Sequence, residues 1–206
     1  MRLQDILNTK NDFNDLYKKL GIQIQTQTQT QTDTTENQNE KHTIEPFESF
    51  LAQQNKEKNN NKTQKHILGE KAIKDFMTQV EYYQKHQLCF GIIDATNIYV
   101  INNNIFFVDN RDLQPIVDKY YISINEVYSR ENQYLPPELK KNTELPFKTR
   151  YTQCFYSLGK IVQTLIFKTS NPTYEQMKIV LGDSPLYFCI NRAIKENPNH
   201  RYLIYI

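Results

Sequence analysis

The chain has 206 residues, a polar composition with a mean hydropathy of −0.70, and a formal net charge of +2. This near-neutral balance removes the electrostatic motive for nucleic acid or an anionic membrane as partner. The three cysteines, Cys89, Cys154 and Cys189, form no C-x-x-C and no zinc spacing with the four histidines, which excludes a disulfide framework and a metal finger. No apolar run approaches the roughly 20 residues of a membrane span, and "MRLQDILNTK" lacks the apolar stretch of a leader. One domain of ordinary size with accessory segments, in the reducing cytoplasm, is the expected class.

Residues 1–21 place Leu3, Ile6, Leu7, Phe13, Leu16, Tyr17 and Leu20 at helical spacing, with Gly21 as the stop. Residues 22–42 are rich in Gln and Thr and hold no apolar residue after Ile24; they are expected to be a flexible, low-complexity linker. A domain is expected over 43–206. It opens with "TIEPFESFLAQQ", a short strand and then a helix from near Pro46. Residues 55–65 are a polar loop, more readily solvated than bound to nucleic acid. From Gly69 to Gln87 the positions Ala72, Ile73, Phe76, Met77, Val80 and Tyr83 mark an amphipathic helix.

The segment 97–110, "NIYVINNNIFFVDN", follows. Two β-rich runs, Ile98–Ile101 and Ile105–Val108, flank the bend Asn102–Asn104, a hairpin signal. It carries an amide, Asn97, at one end and a carboxylate, Asp109, near the other. Residues 111–149 hold Pro115, Pro136, Pro137 and Pro146 and are read as irregular. From Thr149 to Lys168 the apolar arc of Tyr151, Cys154, Phe155, Leu158, Ile161, Val162, Leu165 and Ile166 is wide enough for a central buried helix. Two shorter helices are expected over 172–181 and 185–196. Cys154 is read as a small core filler, and His86 and His200 as surface or capping residues. The expected fold class is mainly α with one β-hairpin.

This order, over about 43–203, resembles the C-terminal lobe of a protein kinase. "YYQKHQLCFGIIDATN" (82–97) aligns without a gap with the helix end and catalytic loop H-R-D-x-x-x-x-N, and the hairpin then leads to the D-F-G position. The resemblance places Asn97 and Asp109 on the two residues that hold magnesium on nucleotide phosphates in an active kinase. "YLPPEL" (134–139) is similar to A-P-E, "CFYSLGKIVQTLI" (154–166) to the buried helix opening D-x-W-S-x-G, and "PLYFCINRAIKENPNHR" (185–201) to the penultimate helix with its terminal arginine. Glu138 and Arg201 then take the positions of a buried structural ion pair.

The departures carry the functional expectation. H-R-D is here Phe90-Gly91-Ile92, and D-F-G is Asp109-Asn110-Arg111. The base position is therefore Ile92, whose aliphatic side chain accepts no proton. Cys154 stands where the family has an Asp that supports the loop. No two of Gly21, Gly69, Gly91, Gly159 and Gly182 are close enough for a phosphate-cradling loop, and the short segment before "TIEPF" leaves no room for a nucleotide-binding N-terminal lobe.

The resemblance therefore implies a kinase-like C-lobe without that lobe, a degenerate pseudokinase similar in architecture to the kinase non-catalytic C-lobe domain (KIND), and a non-enzymatic module that binds an unidentified protein partner. No cofactor and no metal are expected. Asn97 and Asp109 are read as relics that serve as a loop-stabilising amide and a turn carboxylate. The alternative is a residual or trans-complemented Ser/Thr kinase-like enzyme holding Mg-ATP through Asn97 and Asp109. The apolar run Leu88, Phe90, Ile92 and Ile93 is expected to be an exposed interaction surface, covered at rest by the N-terminal helix or by a partner's helix.

Overall fold

The computed structural model describes residues 14–22, 43–56, 62–142 and 144–203. Leu3, Ile6, Leu7 and Phe13 of the expected N-terminal helix, and the expected Gln/Thr linker from residue 23 to 42, lie outside the described residues. In chain order the elements are α1 (Asn14–Leu20), β1 (Ile44–Pro46), α2 (Phe47–Lys56), α3 (Lys62–Lys85), β2 (Leu88–Phe90), a 3-10 turn (Ala95–Asn97), β3 (Ile98–Ile101), β4 (Ile105–Val108), β5 (Leu113–Pro115), β6 (Tyr121–Ile124), α4 (Pro137–Lys141), β7 (Phe147–Arg150), α5 (Gln153–Phe167), α6 (Tyr174–Leu181), α7 (Pro185–Ala193) and a second 3-10 turn (Pro198–His200).

α5 is the axis of the molecule. Every residue from Ser157 to Ile166 is buried, so the helix is covered on every side. α3 and α7 pack against it, and glycine sets both approaches. A Cβ on Gly69 would come within 2.7 Å of Ile166 Cδ1, and one on Gly159 within 2.7 Å of Ile194 Cγ2 and 3.0 Å of Ala193 Cβ. α3 begins seven residues before the expected Gly69. The Lys and Gln residues of 62–65, expected in a loop, face solvent as strong helix formers and extend the helix by two turns. Likewise residues 55 and 56, expected in the same loop, close α2.

β3 and β4 form the expected hairpin, paired from Ile98↔Val108 to Ile101↔Ile105. Asn102 and Asn103 both adopt left-handed backbone (φ 53° and 56°), and Asn104 N–H closes the turn on Ile101 O at 3.1 Å. This backbone twist matches that of the paired strands, and Asn tolerates it. β1 adds to β3 in antiparallel register. The free edge of β4 is sealed by α3: Phe106 N–H donates to Asp75 (3.0 Å), Val108 N–H donates to Gln79 Oε1 (2.8 Å), and Gln79 Nε2 donates to Phe106 O (2.9 Å). Phe106 meets Phe47, Phe50 and Phe76 edge-on, which seats the hairpin on α2 and α3.

The single hairpin is an undercount. β2 pairs with β5 and β6 with β7, two further antiparallel ladders inside or beside the stretch read as irregular. Both join segments far apart along the chain, and each strand has only three or four residues, too few to show an alternation. β7 also occupies the start of the long helix expected from Thr149, so α5 begins at Gln153. Among the described residues no helix is long and apolar enough to cross a membrane.

Candidate functional site

The hairpin brings Asn97 and Asp109 side by side: Asp109 N–H donates to Asn97 O at 2.7 Å. The polar atoms of both side chains that could meet a cation are engaged within their own turns, Asn97 through its Oδ1 and Asp109 through both carboxylate oxygens. Asn97 Oδ1 accepts Asp94 N–H (3.0 Å), while Asp94 Oδ1 accepts Thr96 N–H (2.7 Å), a reciprocal cap on the 3-10 turn. Asp109, whose side chain is only 5% exposed, faces Arg111 two residues on. Arg111 N–H donates to Oδ1 at 2.9 Å, its Nε to Oδ2 at 2.7 Å, and its terminal nitrogen to Oδ2 as well. Both carboxylate oxygens are thereby taken by the guanidinium and its own backbone, and the Asp109 carboxylate in turn raises the Arg111 pKa. Between them, Asn110 turns inward, donating to Tyr83 Oη (3.0 Å) and Tyr17 Oη (3.4 Å). Burial pushes the Tyr83 phenol up, so it stays a neutral hydrogen-bonding group.

Beside this pair lies a cavity of about 400 Å³ lined by Ile92, Asn97, Gln114 and Tyr128, with Asp94, Asp112 and Glu126 as its charged residues. Ile92 is half-buried on its wall. Three carboxylates without a lysine or arginine make this lining repulsive to phosphate. Among the described residues no three His, Cys, Asp or Glu side chains are grouped as a metal site.

The expected exposed patch is corrected. Phe90 is 2% exposed and Ile93 0%, and Leu88 and Ile92 are half-buried. Pairing of β2 with β5 turns Phe90 inward, where its ring meets Tyr83 edge-on at 5.1 Å. Phe90 and Ile93 are core, and Leu88 and Ile92 pack half-buried against it. The N-terminal helix does pack against the domain, but elsewhere: Leu16, Tyr17, Leu20 and Ile22 are buried where α1 lies on α3, and Tyr17 touches Phe107 of β4.

Support for the loop from the central helix is also present, from a different residue. Gln153 Nε2 donates to Phe90 O at 2.9 Å and to Gly91 O. Cys154, next to it, brings its sulfur to 3.8 Å from that of Cys89. Sequence reasoning found neither contact, because each joins segments more than 60 positions apart. Arg111 could have been found: a guanidinium two residues after a carboxylate in a turn is a local pair.

The structure also brings Glu138 and Arg201 together. Arg201, with a side chain 0% exposed, donates from its two terminal nitrogens to the two oxygens of Glu138 at 2.6 and 2.7 Å. Its Nε donates to Lys195 O and a terminal nitrogen to Glu196 O. α4, at the end of the long segment after the hairpin, is thus clamped to the turn that follows α7.

No family model and no curated protein matches the sequence. Solved structures do match. A rhoptry kinase from Toxoplasma gondii superposes with a TM-score of 0.52 at 12% identity, over 76% of this chain and 47% of its own. ROP2 from Toxoplasma gondii, described as a virulence factor with a protein-kinase fold and no enzymatic activity, gives a TM-score of 0.51 at 12% identity, over 76% of this chain and 44% of its own. The chain therefore spans about half the length of these structures, and what it shares with them is a protein-kinase-like fold.

Proposed function

We propose that this chain is a catalytically inactive, kinase-like C-lobe that works as a protein-interaction or regulatory module. The observation that carries the reading is the Arg111 fork on Asp109. The carboxylate at the D-F-G position is neutralised from within, so it offers no charge to a metal–nucleotide complex. Ile92 at the base position and the adjoining cavity, whose only charged lining residues are the acids Asp94, Asp112 and Glu126, support the same conclusion. ROP2 offers a parallel of fold without activity. The interaction role is supported by apolar surface away from the site: Tyr174 (62% exposed) and Phe188 (47%) join through ring contacts to Tyr187.

The purified chain transfers no phosphate from labelled ATP to generic protein substrates above the level of its Asp109→Ala variant. Transfer that this substitution abolishes overturns the inactive reading. For the interaction role, Tyr174→Ser/Phe188→Ser loses protein partners that Asp109→Ala retains in affinity purification. Identical partner sets remove these aromatics as the contact.

A further inference from the structure

Cys89 lies in β2 and Cys154 one residue into α5, 65 positions apart. Their sulfurs are 3.8 Å from each other, in van der Waals contact, and both approach Tyr151 O, at 3.4 Å from Cys89 and 3.1 Å from Cys154. Both residues are buried, at 2% and 0% exposure. Two small hydrophobic residues would fill this space as well, so core packing alone does not require a pair of thiols.

We propose that Cys89 and Cys154 form a reversible dithiol–disulfide site, oxidised by hydrogen peroxide, that rivets the strand leading into Gly91-Ile92 to the central helix. The Cys89 thiolate attacks one peroxide oxygen. The O–O bond breaks, giving a sulfenic acid on Cys89 and hydroxide. The Cys154 thiolate then attacks the Cys89 sulfur, the S–S bond forms and a second hydroxide leaves. The two thiol protons complete two waters. The sulfurs need to approach by about 2 Å to reach bonding distance.

The burial that places the thiols together also sets the rate. Desolvation pushes the Cys89 thiol up, so the thiolate is scarce and reaction is slow. A small neutral oxidant is suited to such a site, whereas bulky thiol reagents are excluded from it. The resulting link lies beside the Gln153 contacts to Phe90 O and Gly91 O, so it reinforces covalently an attachment already present. This proposal does not depend on the functional reading of the Asp109 region.

The test is intact-mass spectrometry and peptide mapping of the native full chain treated with hydrogen peroxide. The chain is expected to lose two hydrogens and yield a peptide linked through Cys89 and Cys154, with Cys189 recovered alkylated. Dithiothreitol reverses the change. Cys189→Ser still forms the link, and Cys154→Ala does not. Closing a loop of this length raises the thermal midpoint by roughly 10 °C. Oxygen adducts without the link, a link through Cys189, or no change under conditions that oxidise the denatured chain each overturns the proposal.

Discussion

Two carboxylates in this molecule are each held by an arginine fork, and the two forks do opposite things. Arg201 reaches Glu138 from 63 positions away, is wholly buried, and donates to two backbone carbonyls besides. Arg111 reaches Asp109 from two positions away and is 59% exposed. The first fork closes a long loop and ties distant segments together. The second is local: it neutralises a carboxylate in place and joins nothing. The buried pair thus ties distant parts of the fold together, while the Asp109 carboxylate is satisfied from its own turn.

The largest expected effect falls on the first fork. Arg201→Ala leaves Glu138 and two carbonyls without their donor and destabilises the chain by roughly 3–5 kcal/mol in urea titration. Glu138→Ala costs less, because Arg201 retains its carbonyl acceptors. The double variant costs less than the sum of the two, since no lone charge remains. Additive losses would show that the fork contributes no coupling and would erase the contrast.

Gly159→Ala comes next, at about 1–3 kcal/mol. Its new Cβ meets Ala193 Cβ, which moves only with the backbone of α7. Gly69→Ala meets the ends of the Ile166 and Leu186 side chains, which rotate away, and it gains helix propensity; it is expected to cost less. The reverse order, read from denaturation midpoints, would place the tighter approach on α3 rather than α7.

The smallest effect concerns acid. Burial raises the Asp75 carboxyl above its ordinary 3.8, outweighing the lowering from Lys71 and Phe106 N–H. The folded chain therefore takes up this proton before the unfolded chain does. The contribution of Asp75 is full below the unfolded pKa and is lost as pH rises through the folded one. Relative to Asp75→Asn, the native chain gains stability between pH 7 and about pH 4; a loss over that range would mean that the Lys71 contact outweighs burial.

α3, the β3–β4 hairpin and α5 were legible because each carries its own periodicity or turn chemistry. The Asn102–Asn104 bend is the clearest case: residue type, position and backbone sign agree. β2, β5, β6 and β7 were not legible, since three or four residues per strand pair with partners that only the tertiary fold supplies. At the site, the residues at the aligned positions 92, 97, 109, 138 and 201 could be named, but their surroundings could not. Phe90 and Ile93 belong to an apolar run that local pattern places at the surface as readily as in the core; β2–β5 pairing turns Phe90 inward, and Ile93 is buried just beyond it. Gln153 and the Cys89–Cys154 contact depend on how α5 docks on the loop, which no local pattern encodes.

Under the proposed function, the Arg111 fork leaves Asp109 unable to hold a metal–nucleotide complex. Thermal unfolding of the native chain with saturating ATP, with and without Mg²⁺, tests it most directly. A ligand present at 100 times its Kd would stabilise the fold by about 2.7 kcal/mol. No shift is expected in either condition. A Mg²⁺-dependent rise in the midpoint that Asp109→Ala abolishes would contradict it.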